Sequence, residues 1–196
     1  MTLDPEILAT FHALLAEAAA SGEPEPTAMT LATVGADGNI SARTVLLKDA
    51  DREGFVFYTN TQSVKGNQLA QRPRAALLFL WKHLRAQVQV RIEGAVEPVT
   101  AAEADAYFAS RLRESQIGAW ASSQSRPLAA RAELDTRIAD FTRQFADLPV
   151  PRPPHWSGYR VLPDAVEFWY GVAHRLHERH LHRWQDGAWR HSLLFP

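Results

Sequence analysis

Gln87-Val88-Gln89-Val90-Arg91-Ile92-Glu93-Gly94-Ala95-Val96 alternates polar and apolar side chains, the period-two pattern of a strand with one face buried. Working outward, Ala75 to Trp81 and Gly54 to Asn60 read as further strands. Between them Ser63-Val64-Lys65-Gly66-Asn67-Gln68-Leu69 forms a short helix that Arg72-Pro73 stops, because the residue before proline avoids helical angles. Farther upstream, Met29 to Val34, a turn at Ala36-Asp37-Gly38-Asn39, and Ile40 to Lys48 form a hairpin.

At the N-terminus Asp4-Pro5-Glu6 supplies a cap, a first-position proline and a first-turn acid. The spacing of Ile7, Phe11, Leu14 and Leu15 then predicts a helix with one apolar face, ending near Ser21-Gly22 and followed by a stiff connection at Pro24 and Pro26. Downstream of the quoted strand, Thr100-Ala101-Ala102-Glu103 is a capping box opening a helix that carries Tyr107, Phe108 and Arg111. A last helix is expected from about Pro127 to Phe145. Pro149, Pro151, Pro153 and Pro154 make a rigid crossing rather than a domain boundary, since too few residues follow to build a second core. The tail predicts strands at Gly158–Leu162, Ala165–Tyr170 and Arg175–Trp184, a turn at Gln185-Asp186-Gly187, and a strand at Ala188–Leu194. Many antiparallel strands with a few helices imply an α+β, barrel-like single domain over residues 1–196, with 1–25 as N-terminal helix and linker and 149–196 completing the barrel.

Composition narrows the function. The chain has 196 residues, 46% of them hydrophobic and 22% charged, enough for one well-buried core. A formal net charge of −1 gives no global reason to bind nucleic acid or a membrane surface, so any anion site is local. With no cysteine, disulfides, thiolate metal sites and thiol mechanisms are excluded. The first residues lack the basic region and long apolar run of a signal peptide, and nowhere do ~18 apolar residues run together, so a soluble, cytoplasmic protein is expected.

Four clusters carry chemistry. In an extended Glu167–Arg179 tail, Arg175, His177 and Arg179 would share one strand face. Two guanidiniums flanking an imidazole suit a phosphorylated or acidic ligand that undergoes reaction; the plain alternative is a solvated strand face. Arg43 and Lys48 bracket an apolar strand, but five positions apart they fall on opposite faces unless the strand bulges, and both could instead be solvated strand ends. Tyr58-Thr59-Asn60-Thr61-Gln62-Ser63-Val64-Lys65 joins strand to helix, where free N–H groups, hydroxyls and a lysine suit a phosphate. A simple cap from Asn60, Thr61 or Ser63 with Lys65 in water would look the same. Tyr107, Arg111 and Ser115 lie four apart, so a continuous helix lines up a phenol, a guanidinium and a hydroxyl, or else an exposed polar stripe. His174, His177, His180 and His182 are clustered, but a zinc-type spacing with carboxylate is absent and in a strand His177 faces away from the others, so no metal is expected.

Several motifs recur in a fixed order: Arg-x-Val-Leu-Leu-Lys (43–48), Phe-Tyr-Thr-Asn-x-x-Ser-x-Lys (57–65), Gln-Val-Arg-Ile-Glu-Gly (89–94) and Tyr-Phe-x-Ser-Arg (107–111). Ser-Gln-Ile-Gly-Ala-Trp (115–120), Gln-Ser (124–125), Phe-Trp (168–169) and Arg-Leu-His-Glu-Arg (175–179) follow. In this order, from about Pro26 to Pro196, the chain resembles the pyridoxine (pyridoxamine) 5′-phosphate oxidase family. The resemblance implies a split β-barrel binding FMN at a homodimer interface. It implies that pyridoxine or pyridoxamine 5′-phosphate is oxidised to pyridoxal 5′-phosphate, with O2 as acceptor and H2O2 as product. By position, Arg43, Val45, Leu46, Lys48, Tyr58, Thr59 and Lys65 match residues holding the flavin and its phosphate. Gln89, Gln124, Ser125, Trp169 and Arg179 match the rest of the FMN shell, some of it from the second subunit. Lys48, Tyr107, Arg111 and Ser115 match the substrate-phosphate clamp. Arg175 and His177 match the pair over the pyridine ring, the first orienting and polarising it and the second assisting by hydrogen bonding or proton handling. The similar oxidases of phenazine biosynthesis, and a non-catalytic flavin or pyridoxal-phosphate carrier, are the alternatives.

Departures from the family pattern are as informative. Val64 stands where a second basic residue is usual, removing one expected FMN-phosphate contact. The arginine-rich N-terminal segment of longer members is absent, and Leu193-Leu194-Phe195-Pro196 replaces an Arg-Leu-x-Pro ending. Two extra residues between Trp81 and Gln87 make Gln89, rather than Gln87, the expected flavin contact.

Overall fold

The computed structural model describes residues 2–196. Helix α1 (Pro5–Ala20) begins as expected, with the Asp4 side chain accepting from Glu6 N–H and Pro5 in the first turn. Its buried face, Ile7, Phe11, Leu14 and Ala18, lies on the sheet. Phe11 is the anchor, meeting Phe55 and Phe79 edge to face at centroid distances of 5.0 and 5.2 Å, a geometry worth about 1 kcal/mol per pair beyond the area buried.

The strands are β1 (Ala28–Val34), β2 (Ile40–Leu46), β3 (Asp49–Ala50), β4 (Phe55–Asn60) and β5 (Arg74–Trp81), with β6 (Val88–Pro98), β7 (Trp156–Tyr170), β8 (Glu178–Gln185) and β9 (Ala188–Leu193) following. All pairings are antiparallel, in the order β2-β1-β5-β6-β7-β4-β3, and β8 joins β7 and carries β9. On β6 the alternation is realised: Val88, Val90 and Ile92 are buried and Gln89, Arg91 and Glu93 are not. The sheet curls, so that β2 comes back against β4 although the two stand far apart in strand order. It is a barrel left open along that seam, a split β-barrel flanked by helices.

Helices α2 (Val64–Gln71), α3 (Ala101–Ser110), α4 (Arg113–Ala121) and α5 (Arg131–Gln144) fill the remainder. Both halves of the Thr100–Glu103 capping box are formed. A second cluster, Phe108, Ile117, Phe145, Val150 and Trp156, binds α3, α4 and α5 to the start of β7. Among the described residues no helix is long and apolar enough to cross a membrane.

Four expectations are corrected. The strands expected at 158–162 and 165–170 are one 15-residue strand, β7, whose register against β6 shifts between Glu93 and Gly94, opposite Pro163. Proline breaks a strand by its missing N–H, but at a bulge no ladder bond is lost. The strand expected from Arg175 begins only at Glu178, because Ala173–Arg175 is a 3-10 turn with His174 (φ 58°) and Arg175 (φ 61°) in the left-handed region. Arg175, His177 and Arg179 therefore do not form one regular strand face. Finally, the helix through Tyr107, Arg111 and Ser115 breaks after Ser110, and α4 restarts at Arg113. The α5 helix starts four residues later than expected from Pro127, at Arg131.

Candidate functional site

The main cavity, about 490 Å3, opens at the seam between β2 and β4 and under α3 and α4. Thr44, Val45, Leu46 and Lys48 come from β2 and its exit; Tyr58, Thr59, Asn60 and Lys65 come from β4 and α2. Tyr107, Arg111, Ser115, Gln124 and Trp156 close the other side. Among the described residues its lining holds three cations, Lys48, Lys65 and Arg111, and no carboxylate. A cavity of this kind selects anions.

Each cation is held by local structure. Ser63 caps α2, its Oγ accepting from Gly66 N–H, and this places Lys65 in the first turn. Lys65 is not solvated: it is 8% exposed, and Nζ donates to Gln124 Oε1 at 3.0 Å, an oxygen that also accepts from Thr59 Oγ1 at 3.2 Å. Burial pulls the ammonium below the usual lysine range, and the Arg43 charge adds to this. Lys48 lies beyond the end of β2, which stops at Leu46, so the strand-parity argument does not apply to it.

Arg111 ends α3 in extended conformation. Its guanidinium carbon sits 4.9 Å from the Trp156 ring centroid and 5.6 Å from that of Phe108. One terminal nitrogen, Nη1, is buried with no hydrogen-bond partner among the described residues. An unsatisfied buried donor on a cation is costly, and an anion in the cavity would satisfy it. Beside it Tyr107 stacks on Tyr58 at 4.1 Å, and Tyr58 on Trp156 at 5.2 Å, within 15° and 7° of parallel. The ladder depends on Gly158, paired with Tyr58 across β4 and β7, since a Cβ there would lie 2.7 Å from the Tyr58 ring. The break after Ser110 replaces one helical stripe by a corner, and Tyr107, Arg111 and Ser115 still line one cavity.

Other expected residues lie elsewhere. Arg43 donates to Leu31 O, Thr33 Oγ1 and Ser41 Oγ, and is not in the cavity lining. Ser125, at φ 70°, follows Gln124 in a neighbouring smaller hollow. Gln89, Trp169 and Arg179 form one row across β6, β7 and β8, as consecutive register partners. The His177 ring lies 4.4 Å from that of Trp169, and its Nδ1 accepts from Val172 N–H. Arg179 is held by the buried Glu167 at 2.7 Å and by Phe195 O at 3.1 Å; Arg175 is exposed. Trp169 stands thirteen residues along β7 from Trp156, about 40 Å of strand path at ~3.3 Å per residue. Within one chain the expected residues therefore fall into two separate groups, one in the cavity and one on the β6–β8 row. Trp156, the platform under Arg111, went unread in the sequence; its only signal was an aromatic two residues after the last proline of the crossing.

Comparison with known proteins agrees with this geometry. Residues 15–145 match the family model described as pyridoxamine 5′-phosphate oxidase, and residues 156–196 that described as pyridoxine 5′-phosphate oxidase C-terminal dimerisation region. A pyridoxine/pyridoxamine 5′-phosphate oxidase of Myxococcus xanthus is 54% identical over 194 residues, covering 99% of this chain and 93% of that one. One from Xanthomonas euvesicatoria is 57% identical, covering 97% of each. Among solved structures, PhzG from Burkholderia lata in complex with tetrahydrophenazine-1-carboxylic acid superposes with a TM-score of 0.91 at 30% identity, over 99% of this chain and 98% of that one.

Proposed function

The chain belongs to the pyridoxine/pyridoxamine 5′-phosphate oxidase family of FMN-dependent oxidases, and on that premise we propose that it converts pyridoxine or pyridoxamine 5′-phosphate to pyridoxal 5′-phosphate. The observation that carries the substrate assignment is the cavity lined by Lys48, Lys65 and Arg111 without a carboxylate, with a buried Arg111 nitrogen lacking a partner. In this reading Lys48, Tyr107, Arg111 and Ser115 grip the substrate phosphate. Thr59, Lys65 and Gln124 hold the flavin side with the β2 backbone at Val45 and Leu46. A second copy supplies Gln89, Trp169, Arg179, Arg175 and His177, which supports a homodimer; the match of residues 156–196 to a dimerisation region favours the same arrangement. Bound there, FMN would supply a two-electron acceptor for hydride from C4′ of the substrate, with O2 as terminal acceptor giving H2O2 and, for the amine substrate, water releasing ammonia. The chain contributes position: the clamp fixes the ring, Arg175 orients and polarises its substituents, and His177 hydrogen-bonds or handles a proton.

The PhzG similarity makes a reduced phenazine carboxylate the competing substrate. The deciding experiment purifies the protein, records its visible spectrum and assays H2O2 with pyridoxamine 5′-phosphate, unphosphorylated pyridoxamine and a dihydrophenazine carboxylate. A yellow protein with kcat/KM for the phosphate ester at least ~100-fold above the other two is expected, since a gripped phosphate contributes several charge-assisted bonds. A colourless protein, ligand binding without O2 consumption, or preference for the phenazine overturns the assignment.

A further inference from the structure

Arg160 lies in β7 between Val56 of β4 and Glu97 of β6, and its side chain is 7% exposed. Its Nη1 donates to both Asp51 oxygens at 2.6 and 2.7 Å, its Nη2 to Glu103 Oε1 at 2.9 Å, and Glu53 lies 3.7 Å from Nε. A buried guanidinium shared among carboxylates is not an economical source of stability, because its desolvation cost offsets much of the attraction. Its arrangement has another consequence. Asp51 is three residues beyond Lys48, in the turn between β3 and β4. Glu103 is in the first turn of α3, Tyr107 follows it four residues later on the same face, and the helix ends at Arg111. Arg160 thus ties together the two walls of the cavity without lining it.

We propose that Arg160 is a positioning residue for the phosphate clamp: by holding Asp51 and Glu103 at once, it fixes the gap between Lys48 on one wall and Tyr107 and Arg111 on the other. The inference rests on the reading of that cavity as the substrate-phosphate site. Arg111 lies eight residues from Glu103, about 12 Å at 1.5 Å per residue, so a small tilt at the first turn becomes a displacement of the guanidinium comparable to a hydrogen-bond tolerance.

Glu103 allows a sharp test. Its Oε2 accepts from Thr100 N–H and Oγ1 at 2.8 and 2.7 Å to make the capping box, leaving Oε1 for Arg160. In Glu103→Gln the box keeps the amide oxygen, so the amide NH2 is turned toward the guanidinium and the tie is lost while the helix cap remains. Holoenzyme carrying Glu103→Gln, Arg160→Met or Arg160→Lys is compared with wild type. The readouts are KM and kcat for pyridoxamine 5′-phosphate, equilibrium binding of pyridoxal 5′-phosphate by difference spectroscopy, FMN affinity by fluorescence, and the urea midpoint. KM and the pyridoxal-phosphate Kd should rise about fivefold in Glu103→Gln and more in Arg160→Met, with partial recovery in Arg160→Lys and kcat and FMN affinity within about twofold. A lowered urea midpoint with unchanged KM and Kd in Glu103→Gln overturns the proposal and leaves Arg160 purely structural. Arg111→Ala separates the two levels. If it raises KM while Glu103→Gln does not, the positioning role alone fails. If Arg111→Ala leaves KM unchanged, the clamp reading fails and takes the positioning role with it.

Discussion

Val64 stands at the first position of α2, 48% exposed, beside a Lys65 that is almost wholly buried. In sequence the two are neighbours and nothing local separates them. The difference is made by Gln124, 59 residues away, which receives the Lys65 ammonium. Whether Lys65 was a solvated helix residue or a ligand was therefore not legible from its own motif; only the ordered set of motifs pointed to the second. Restoring a cation by Val64→Arg should tighten FMN binding about three- to tenfold, one charge-assisted contact at a partly exposed site, read by flavin fluorescence quenching. The same cation sits at the positive end of the α2 dipole, so the apoprotein should lose a few tenths of a kcal/mol. An unchanged FMN Kd would place the side chain away from the flavin phosphate.

At the scale of elements, the helices and strands that sequence pattern located correctly are those whose signals are local. The Asp4-Pro5 start of α1, the capping box of α3 and the alternation of β6 all depend on residues within a few positions of each other. The errors arose where a partner strand decides. Pro163 reads as a strand end, yet β7 carries on past it by bulging, with Asp164 left unpaired opposite the Glu93–Gly94 step, and a Cβ at Gly94 would lie 2.0 Å from Leu162 O. Gly94→Ala should therefore cost about 2–3 kcal/mol of stability by overpacking the bulge, and a urea-unfolding difference under about 0.5 kcal/mol would show that β7 shifts at little cost. The β8–β9 hairpin supplies a pH-dependent counterpart. His182 meets Phe168 edge on and lies against His191, which pairs with His180; Glu178 pairs with His180, Tyr170 lies beside it, and Asp4 faces the group from the start of α1. Burial first, then the two neighbouring imidazoles, hold the His182 ring below the ordinary histidine value of 6.5, against the pull of Asp4. The unfolded chain then binds the proton more readily, so stability is intact above pH 6.5 and falls as pH drops from there toward the folded pKa. His182→Gln should flatten the decline of the urea midpoint between about pH 7 and pH 5.5; parallel wild-type and mutant profiles would remove His182 as its source.

For the whole molecule, the long strand β7 is the organising fact. It runs from Trp156, in the cavity, to Trp169, in the row with Gln89 and Arg179, so one chain displays the two groups of expected site residues at opposite ends of a single element. No periodicity in the sequence distinguishes a strand that ends in a core from one that ends at a partner, and for that reason the separation of the expected residues between two ends of β7 was not legible in the sequence. If a partner's row completes each cavity, two variants that are impaired when assayed at substrate well below the KM of Arg111→Ala should rescue one another. Arg111→Ala disables the cavity half and Arg175→Ala the row half, so each homodimer has two damaged sites. In a mixed dimer both lesions fall in one site and the other is intact. Random pairing makes half the dimers mixed, and co-expression should restore about a quarter of wild-type turnover. Separately purified variants, mixed at high concentration and given time to exchange subunits, should approach the same value as exchange proceeds. Activity that stays at the sum of the two variants, with mixed dimers demonstrated by differential tags, would mean that each chain builds its site alone and that the β6–β8 row serves some other surface.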